Sequence, residues 1–242
     1  MIIIETLLVL LISRNFNKNT LTESKISIVN RLANNVSSQG DNVSQRVRVA
    51  VYMESQCPDT ARFIREQLVQ TMNSPVVQAI DLNLVIFGKA QYSVTEHDDA
   101  IDFEFRCQHG ITECLMNQFM LCASRRLATP PTVSKQQHDQ SWAQLIGCLM
   151  RRQVNDTESR QCVEAYSLNY TEVLDCSSGL EGLSLHARDG VATQDLNPPL
   201  TFIPWVTLNE QRKLSYVYAF SHAVCAQYKG PNKEAICGKV NV

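Results

Sequence analysis

The sequence lacks most of the features that announce a function outright. It has no glycine-rich phosphate loop, no hydrolase nucleophile elbow and no internal repeat of useful length. It also lacks an excess of charge of one sign: 22 Lys and Arg against 24 Asp and Glu leave a net charge of −2. Without a basic field to meet a phosphate backbone, no nucleic-acid partner is expected. The one apolar run near the start, Leu7 to Ile12, falls far short of the roughly 20 residues a spanning helix needs, so no membrane span is expected. Global disorder is excluded by a hydrophobic content of 44%, and 242 residues allow one large domain or one domain with a sizeable insertion.

Cysteine is what the chain does have. Nine cysteines are too sparse for a mini-protein scaffold but many for a cytosolic protein. Nine is also odd, so if eight pair, one thiol is left over. Residues 1–13, MIIIETLLVLLIS, read as a secretory signal peptide, although Glu5 stands where a basic residue is expected and no small-x-small cleavage site stands out. Four Asn-x-Ser/Thr sequons, at Asn35, Asn42, Asn155 and Asn169, agree with that route as glycosylation sites. The expected destination is secreted or lysosomal, where paired cysteines are disulfides rather than zinc ligands.

Residues 14–45 form a polar arm, with a short helix expected between Glu23 and Asn34. Val47, Val49 and Val51 then alternate with Arg46, Arg48 and Ala50, the pattern of a strand with one buried face. The strand ends at Ser55-Gln56-Cys57-Pro58, and Phe63, Ile64, Leu68 and Met72 follow at helical spacing. Pro58 suits a first helical turn, where its missing N–H would have no partner anyway. Leu82–Gly88 is a second strand, which completes the first half of an α/β domain over 46–93. Residues 94–195 are charged and cysteine-rich, with helical spacing and no convincing strand. In the last part, 196–242, strands are expected at 202–208 and 214–218, turned at Asn209-Glu210, with a helix over 219–228. A β-α-β half, a helical interruption and a β-β-α half resemble a thioredoxin fold split by an insertion.

Cys57 follows a strand and opens a helix, whose unpaired N–H groups and partial positive charge favour a thiolate, the reactive form of cysteine. Asp59 opposes this, since a neighbouring carboxylate disfavours a second negative charge. A thioredoxin-like site has its resolving thiol three residues later, and here that residue is Thr60, which can hydrogen-bond a thiolate but cannot attack a disulfide. The alternatives for Cys57 are an ordinary structural disulfide, with another cysteine left over, or the bridge of a disulfide-linked homodimer. Ile203-Pro204 precedes a strand. In thioredoxin-like folds that proline is cis, sits against the active cysteine and holds an extended substrate segment. Trp205 reads equally as a groove wall or a packed strand residue.

Residues Cys107-Gln108-His109-Gly110-Ile111-Thr112-Glu113-Cys114-Leu115-Met116-Asn117, continuing to Cys122, spell CQHGxxECxxNxxxxC. This resembles the signature of the GILT family, the gamma-interferon-inducible lysosomal thiol reductases, and the resemblance extends from about 46 to 242. It implies a thioredoxin-like domain with a helical, disulfide-stapled insertion, export to lysosomes or the cell exterior, and reduction of protein disulfides at acidic pH. Family members place a Cys-x-x-Cys pair at the active site; Cys57 matches the first cysteine and Thr60 departs from the second.

If 107–122 were one helix, Cys107, Cys114 and Cys122 would share one face, and cysteines seven apart would stand about 10.5 Å apart along the axis. That is too far for a direct bridge, so they are expected to bond to other segments, with Cys148, Cys162 and Cys176 as candidates, unless Gly110 breaks the helix. Cys225 and Cys237 flank a Gly230-Pro231 turn and could pair locally. Eight cysteines still allow 105 connectivities. A Cys₃His metal site from Cys107, His109, Cys114 and Cys122 is the competing reading, but its spacing fits no common zinc module, so no metal is expected. His109 and Glu113 read as structural hydrogen-bond partners rather than an acid–base pair.

The expected activity is thiol–disulfide exchange on protein substrates through the single thiol of Cys57. No cofactor is needed beyond an external thiol such as free cysteine. The alternative is a non-catalytic, glycosylated binding module that keeps the fold and has lost the chemistry.

Overall fold

The computed structural model describes residues 45–97, 100–127, 133–151, 156–238 and 240. The signal-like segment, the polar arm and the sequons at Asn35, Asn42 and Asn155 lie outside the described residues.

Strand β1 (Val47–Met53) buries every second residue, as its valine alternation requires: Val47, Val49, Val51 and Met53 are inside and Arg48 is outside. Helix α1 (Pro58–Phe63) follows, with Cys57 as its N-cap and Pro58 at its start. It runs on through a π-helical turn (Ile64–Leu68) and a last turn (Val69–Met72). Phe63, Ile64, Leu68 and Met72 all sit in the core. A short 3₁₀ segment (Pro75–Ala79) leads to β2 (Ile80–Ile86), which pairs parallel with β1. The sheet is completed by β5 (Trp205–Leu208), antiparallel to β1, and by the two-residue edge strand β6 (Gln211–Arg212), in the order β2-β1-β5-β6.

Between the halves lie β3 (Gln91–His97), β4 (Ala100–Arg106), α2 (Ile111–Arg126), α3 (Lys135–Leu149), α4 (Asp156–Glu164), α5 (Tyr170–Ser178) and α6 (Leu180–Gln194). After β6 come a 3₁₀ segment (Leu214–Val217), α7 (Phe220–Gln227) and α8 (Lys233–Cys237). Two features differ from the sequence reading. The interruption is not wholly helical, because β3 and β4 pair as a separate antiparallel hairpin. Its signal is a short alternation, Tyr92-Ser93-Val94, that soon runs into the charged Glu96, and its aromatic face is half-buried, with Tyr92 stacked on Phe105 and Phe105 on the distant α6 residue His186. Residues 214–217 form a 3₁₀ turn rather than a strand, since the polypeptide leaves the sheet after Arg212 and buries Tyr216.

The insertion covers the open edge of β2. An edge strand exposes unpaired N–H groups. Here the Leu82 N–H donates to Asp139 of α3 at 3.0 Å, and the Ile86 N–H donates to Asp189 of α6 at 2.7 Å. Burial pushes the Asp189 carboxyl up, opposed by Arg188 beside it and by the Ile86 bond. Lys135 pairs with Asp139 at 2.7 Å.

Disulfides Cys122–Cys176 and Cys148–Cys162 tie α2 to α5 and α3 to α4, and Cys225–Cys237 ties α7 to α8. The first closes a separation of 54 residues and the last one of 12. Loop-closure entropy makes the longer cross-link worth roughly 4 kcal/mol and the shorter roughly 3. Cys122→Ala/Cys176→Ala is therefore expected to cost more unfolding free energy than Cys225→Ala/Cys237→Ala, measured by urea denaturation; an equal loss would refute the ordering.

Candidate active site

Four disulfides use eight cysteines and leave Cys57 as the free one. Its extended backbone (φ −73°, ψ 119°) marks the turn from strand into helix, and its carbonyl accepts the Ala61 N–H at 3.0 Å. The side chain is half-buried, and its Sγ lies 3.9 Å from the carbonyl oxygen of Ile203. The Ile203–Pro204 peptide is cis and both residues are buried, so the two halves of the chain meet at the sulfur. Asp59 is engaged by Arg62 at 2.8 Å, so its charge is met within the same helical turn. Thr60, at 0% exposure, has a hydroxyl with no hydrogen-bond partner. A buried hydroxyl without a partner carries a desolvation cost.

The signature residues lie against the backbone that leads into Cys57. Asn117, buried on α2, accepts the Ser55 N–H at 2.9 Å. The Ser55 hydroxyl donates to the Glu113 carbonyl at 3.2 Å, and Gln56 reaches Thr112 at 2.9 Å. Asn117 also donates its amide to His186 Nε2 at 3.4 Å, which leaves the His186 ring proton on Nδ1. Burial alone pushes that imidazole down to about 3, so it stays neutral.

A residue missed in the sequence completes the cluster. Glu54, at 1% exposure, sits at the end of β1 with Oε1 3.5 Å from His109 Nδ1. His109 is hydrogen-bonded to Glu113 through the same nitrogen. The remaining oxygens are held by backbone: the Lys89 N–H donates to Glu54 at 3.0 Å, and the Gln108 N–H donates to Glu113 at 3.1 Å. Glu54 packs under Gly88, where an added Cβ would collide with its carboxylate and with Ile203 Cδ1. Burial raises the Glu54 carboxyl above its ordinary range, opposed by the Lys89 N–H, reinforced by Glu113 and opposed again by His109. Glu54, His109 and Glu113 offer three ligand atoms within 4.8 Å of one another, the one such set among the described residues that could hold a metal ion. The Cys₃His set of the sequence reading has no thiolates to offer, because Cys107, Cys114 and Cys122 are all in disulfides.

One expectation is corrected. Cys107 and Cys114 bond to each other, not to other segments. Gly110, at φ 91°, turns the chain so that α2 begins only at Ile111, and the folded-back turn brings the two Cα atoms to 5.6 Å. Cys122 does reach a distant segment, at Cys176, while Cys148 and Cys162 pair with each other. Of the sequons, Asn169 is described: it is exposed, and its side-chain amide oxygen caps α5 by accepting the Thr171 and Glu172 N–H groups. No helix among the described residues is long and apolar enough to cross a membrane.

Comparison with known proteins points the same way. The profile of the family described as gamma interferon inducible lysosomal thiol reductase (GILT) matches residues 48–166. A GILT-like protein of Caenorhabditis elegans is 38% identical over 186 residues, covering 76% of this chain and 53% of its own length. A gamma-interferon-inducible lysosomal thiol reductase-like protein of Anopheles gambiae is 34% identical over 192 residues, covering 74% of this chain and 76% of its own. The mouse gamma-interferon-inducible lysosomal thiol reductase is 27% identical over 201 residues, covering 81% and 74%. The chain thus spans about half the length of the nematode relative and three quarters of the mosquito one. The crystal structure of Chlamydia trachomatis DsbA matches with a TM-score of 0.52 at 9% identity, over 79% of this chain and 92% of that chain. The fold is thioredoxin-like, interrupted by a largely helical, disulfide-bonded insertion.

The raised Glu54 carboxyl fixes a pH dependence. The folded state holds that proton longer than the unfolded state, so the stability it contributes is complete below the ordinary value of 4.5 and is lost as pH rises through the raised one. Glu54→Gln keeps the acceptor for Lys89 and removes the titration. Urea midpoints measured from about pH 4 to about pH 7 should fall less for the variant than for the parent; parallel curves would show that Glu54 does not carry the effect.

Proposed function

The chain belongs to the gamma interferon inducible lysosomal thiol reductase family, and on that premise we propose that it exchanges disulfides in protein substrates through the lone thiol of Cys57. The observation that carries this reading is an unbridged, half-exposed sulfur at a helix start, beside the cis Ile203–Pro204 turn.

In the first step the Cys57 thiolate attacks one sulfur of a substrate disulfide. A bond forms between Cys57 and that sulfur, the substrate S–S bond breaks, and the departing sulfur leaves with the electron pair and takes up a proton. Ile203 and Pro204 hold the substrate chain alongside. Thr60 holds the position of a resolving thiol. We assign its hydroxyl, which has no partner beside the resting thiol, to donate a hydrogen bond to the thiolate once it forms, but it cannot resolve the intermediate. Resolution therefore falls to external thiols such as free cysteine. One attacks the substrate sulfur of the mixed disulfide, forms a new S–S bond to it and releases Cys57 as its thiol. A second then frees the substrate cysteine, the two leaving together as the oxidised small disulfide. A second cysteine on the substrate can instead make the first of these attacks, and the outcome is then isomerisation rather than net reduction. The signal-like start and the sequons, Asn169 on an exposed helix cap among them, support glycosylation and a secreted or lysosomal site of action.

A second reading rests on the same Thr60: without a resolving thiol, the domain serves as a glycosylated binding module with a degenerate site. The two separate in an insulin-type reduction assay with excess free cysteine. Cys57→Ser is expected to abolish the rate and Thr60→Cys to raise it. If the parent protein is no faster than Cys57→Ser, the enzymatic reading falls and the binding module stands. If Cys57 instead bridges two copies, a non-reducing gel shows a doubled mass that collapses on reduction.

A further inference from the structure

Arg212 lies on β6, opposite Thr207 of β5. Side chains alternate along a strand, so Thr207 and Trp205 share a face, and Arg212 stands on that face too. Its guanidinium carbon lies 4.4 Å from the Trp205 ring centroid and 4.5 Å from that of Phe202. The two rings are 5.5 Å apart and tilted by 51°, so they form a cradle under the cation. Aromatic faces hold a guanidinium by its flat side and leave its in-plane N–H donors free. Arg48, Arg62, Arg126 and Arg188 each pair with a carboxylate. Arg212 has none in contact among the described residues.

A charged residue on an edge strand discourages sheet-to-sheet pairing, and that role would be met by any exposed lysine. It does not call for two aromatic rings fixing the orientation of the charge. The location of the rings is the stronger observation. Phe202 immediately precedes Ile203, whose carbonyl faces the Cys57 sulfur at 3.9 Å. A substrate segment laid along 202–204 advances about 3.3 Å per residue. A residue one or two positions from the attacked cysteine thus comes over Phe202, within reach of the guanidinium. The fork of donors matches a carboxylate, which it can bind through two parallel hydrogen bonds.

We infer that Arg212 is a specificity-determining residue, which receives an acidic side chain next to the substrate disulfide. This deepens the reading of Cys57 as nucleophile and rests on it. The test uses two disulfide peptides, identical except for Glu or Lys beside the attacked cysteine, with the full chain and excess free cysteine. The parent protein is expected to react about fivefold faster with the Glu peptide, the upper end for a solvent-accessible ion pair, and the ratio should shrink as salt is raised. Arg212→Gln should bring the ratio to about one, Arg212→Glu should invert it, and Arg212→Lys, which keeps the charge and loses the fork, should fall between. Because each protein is compared with itself on two peptides, a variant that folds less well loses rate on both and leaves the ratio readable. A parent ratio of one with a Cys57-dependent rate overturns the role of Arg212 and leaves the nucleophile standing, as does a ratio unchanged by Arg212→Gln. No reaction with either peptide, matched by Cys57→Ser, overturns both.

Discussion

The hydrogen bond from the Ser55 N–H to the Asn117 side chain is the constraint on which the rest of the site depends. Cys57 stands where a strand stops and a helix starts, and the residues between the two, Glu54 to Gln56, belong to neither ladder. Their backbone needs partners from elsewhere. Helix α2 supplies one to the Ser55 N–H through Asn117, its Glu113 carbonyl and Thr112 hold the side chains of Ser55 and Gln56, and Glu54 closes the contact through His109. The string that marks the family is thus a clamp on the segment carrying the sulfur. The two members that grip this segment from α2 are buried, where the clamp replaces water: Glu113 and Asn117 are both at 0% exposure.

What could be read from the sequence follows from this arrangement. The valine alternation of β1, the Cys-Pro start of α1 and the signature are local patterns, and each sits where its pattern places it. Features governed by distant partners were not readable. Glu54 looks like an ordinary polar residue ending a strand, and its importance comes from His109 and Glu113, some 55 residues on. The β3–β4 hairpin is anchored by Phe105 stacking on His186, which no short window contains. The pairing of Cys107 with Cys114 depended on the backbone of one glycine, which moved the start of α2 past Cys107.

The insertion does more than decorate the fold. Asp139 and Asp189, from α3 and α6, take the place of a missing neighbouring strand along β2. One end of the sheet is therefore finished by carboxylates of the insertion, and α2 of the same insertion grips the loop before Cys57. The insertion and the sheet are bound together on both counts, so neither half of the thioredoxin-like core is complete alone.

The exchange chemistry proposed for Cys57 would also expose the protein to its own reagent. Most of its cross-linked sulfurs are hidden: Cys114, Cys122, Cys162, Cys176, Cys225 and Cys237 are at 5% exposure or below. Cys107 and Cys148 are less shielded. In a medium rich in small thiols, attack thus begins at the bond that holds the turn before α2, or at the bond between α3 and α4. The former would loosen the clamp before it unravelled the core, so wear of this kind would silence the protein while leaving it folded.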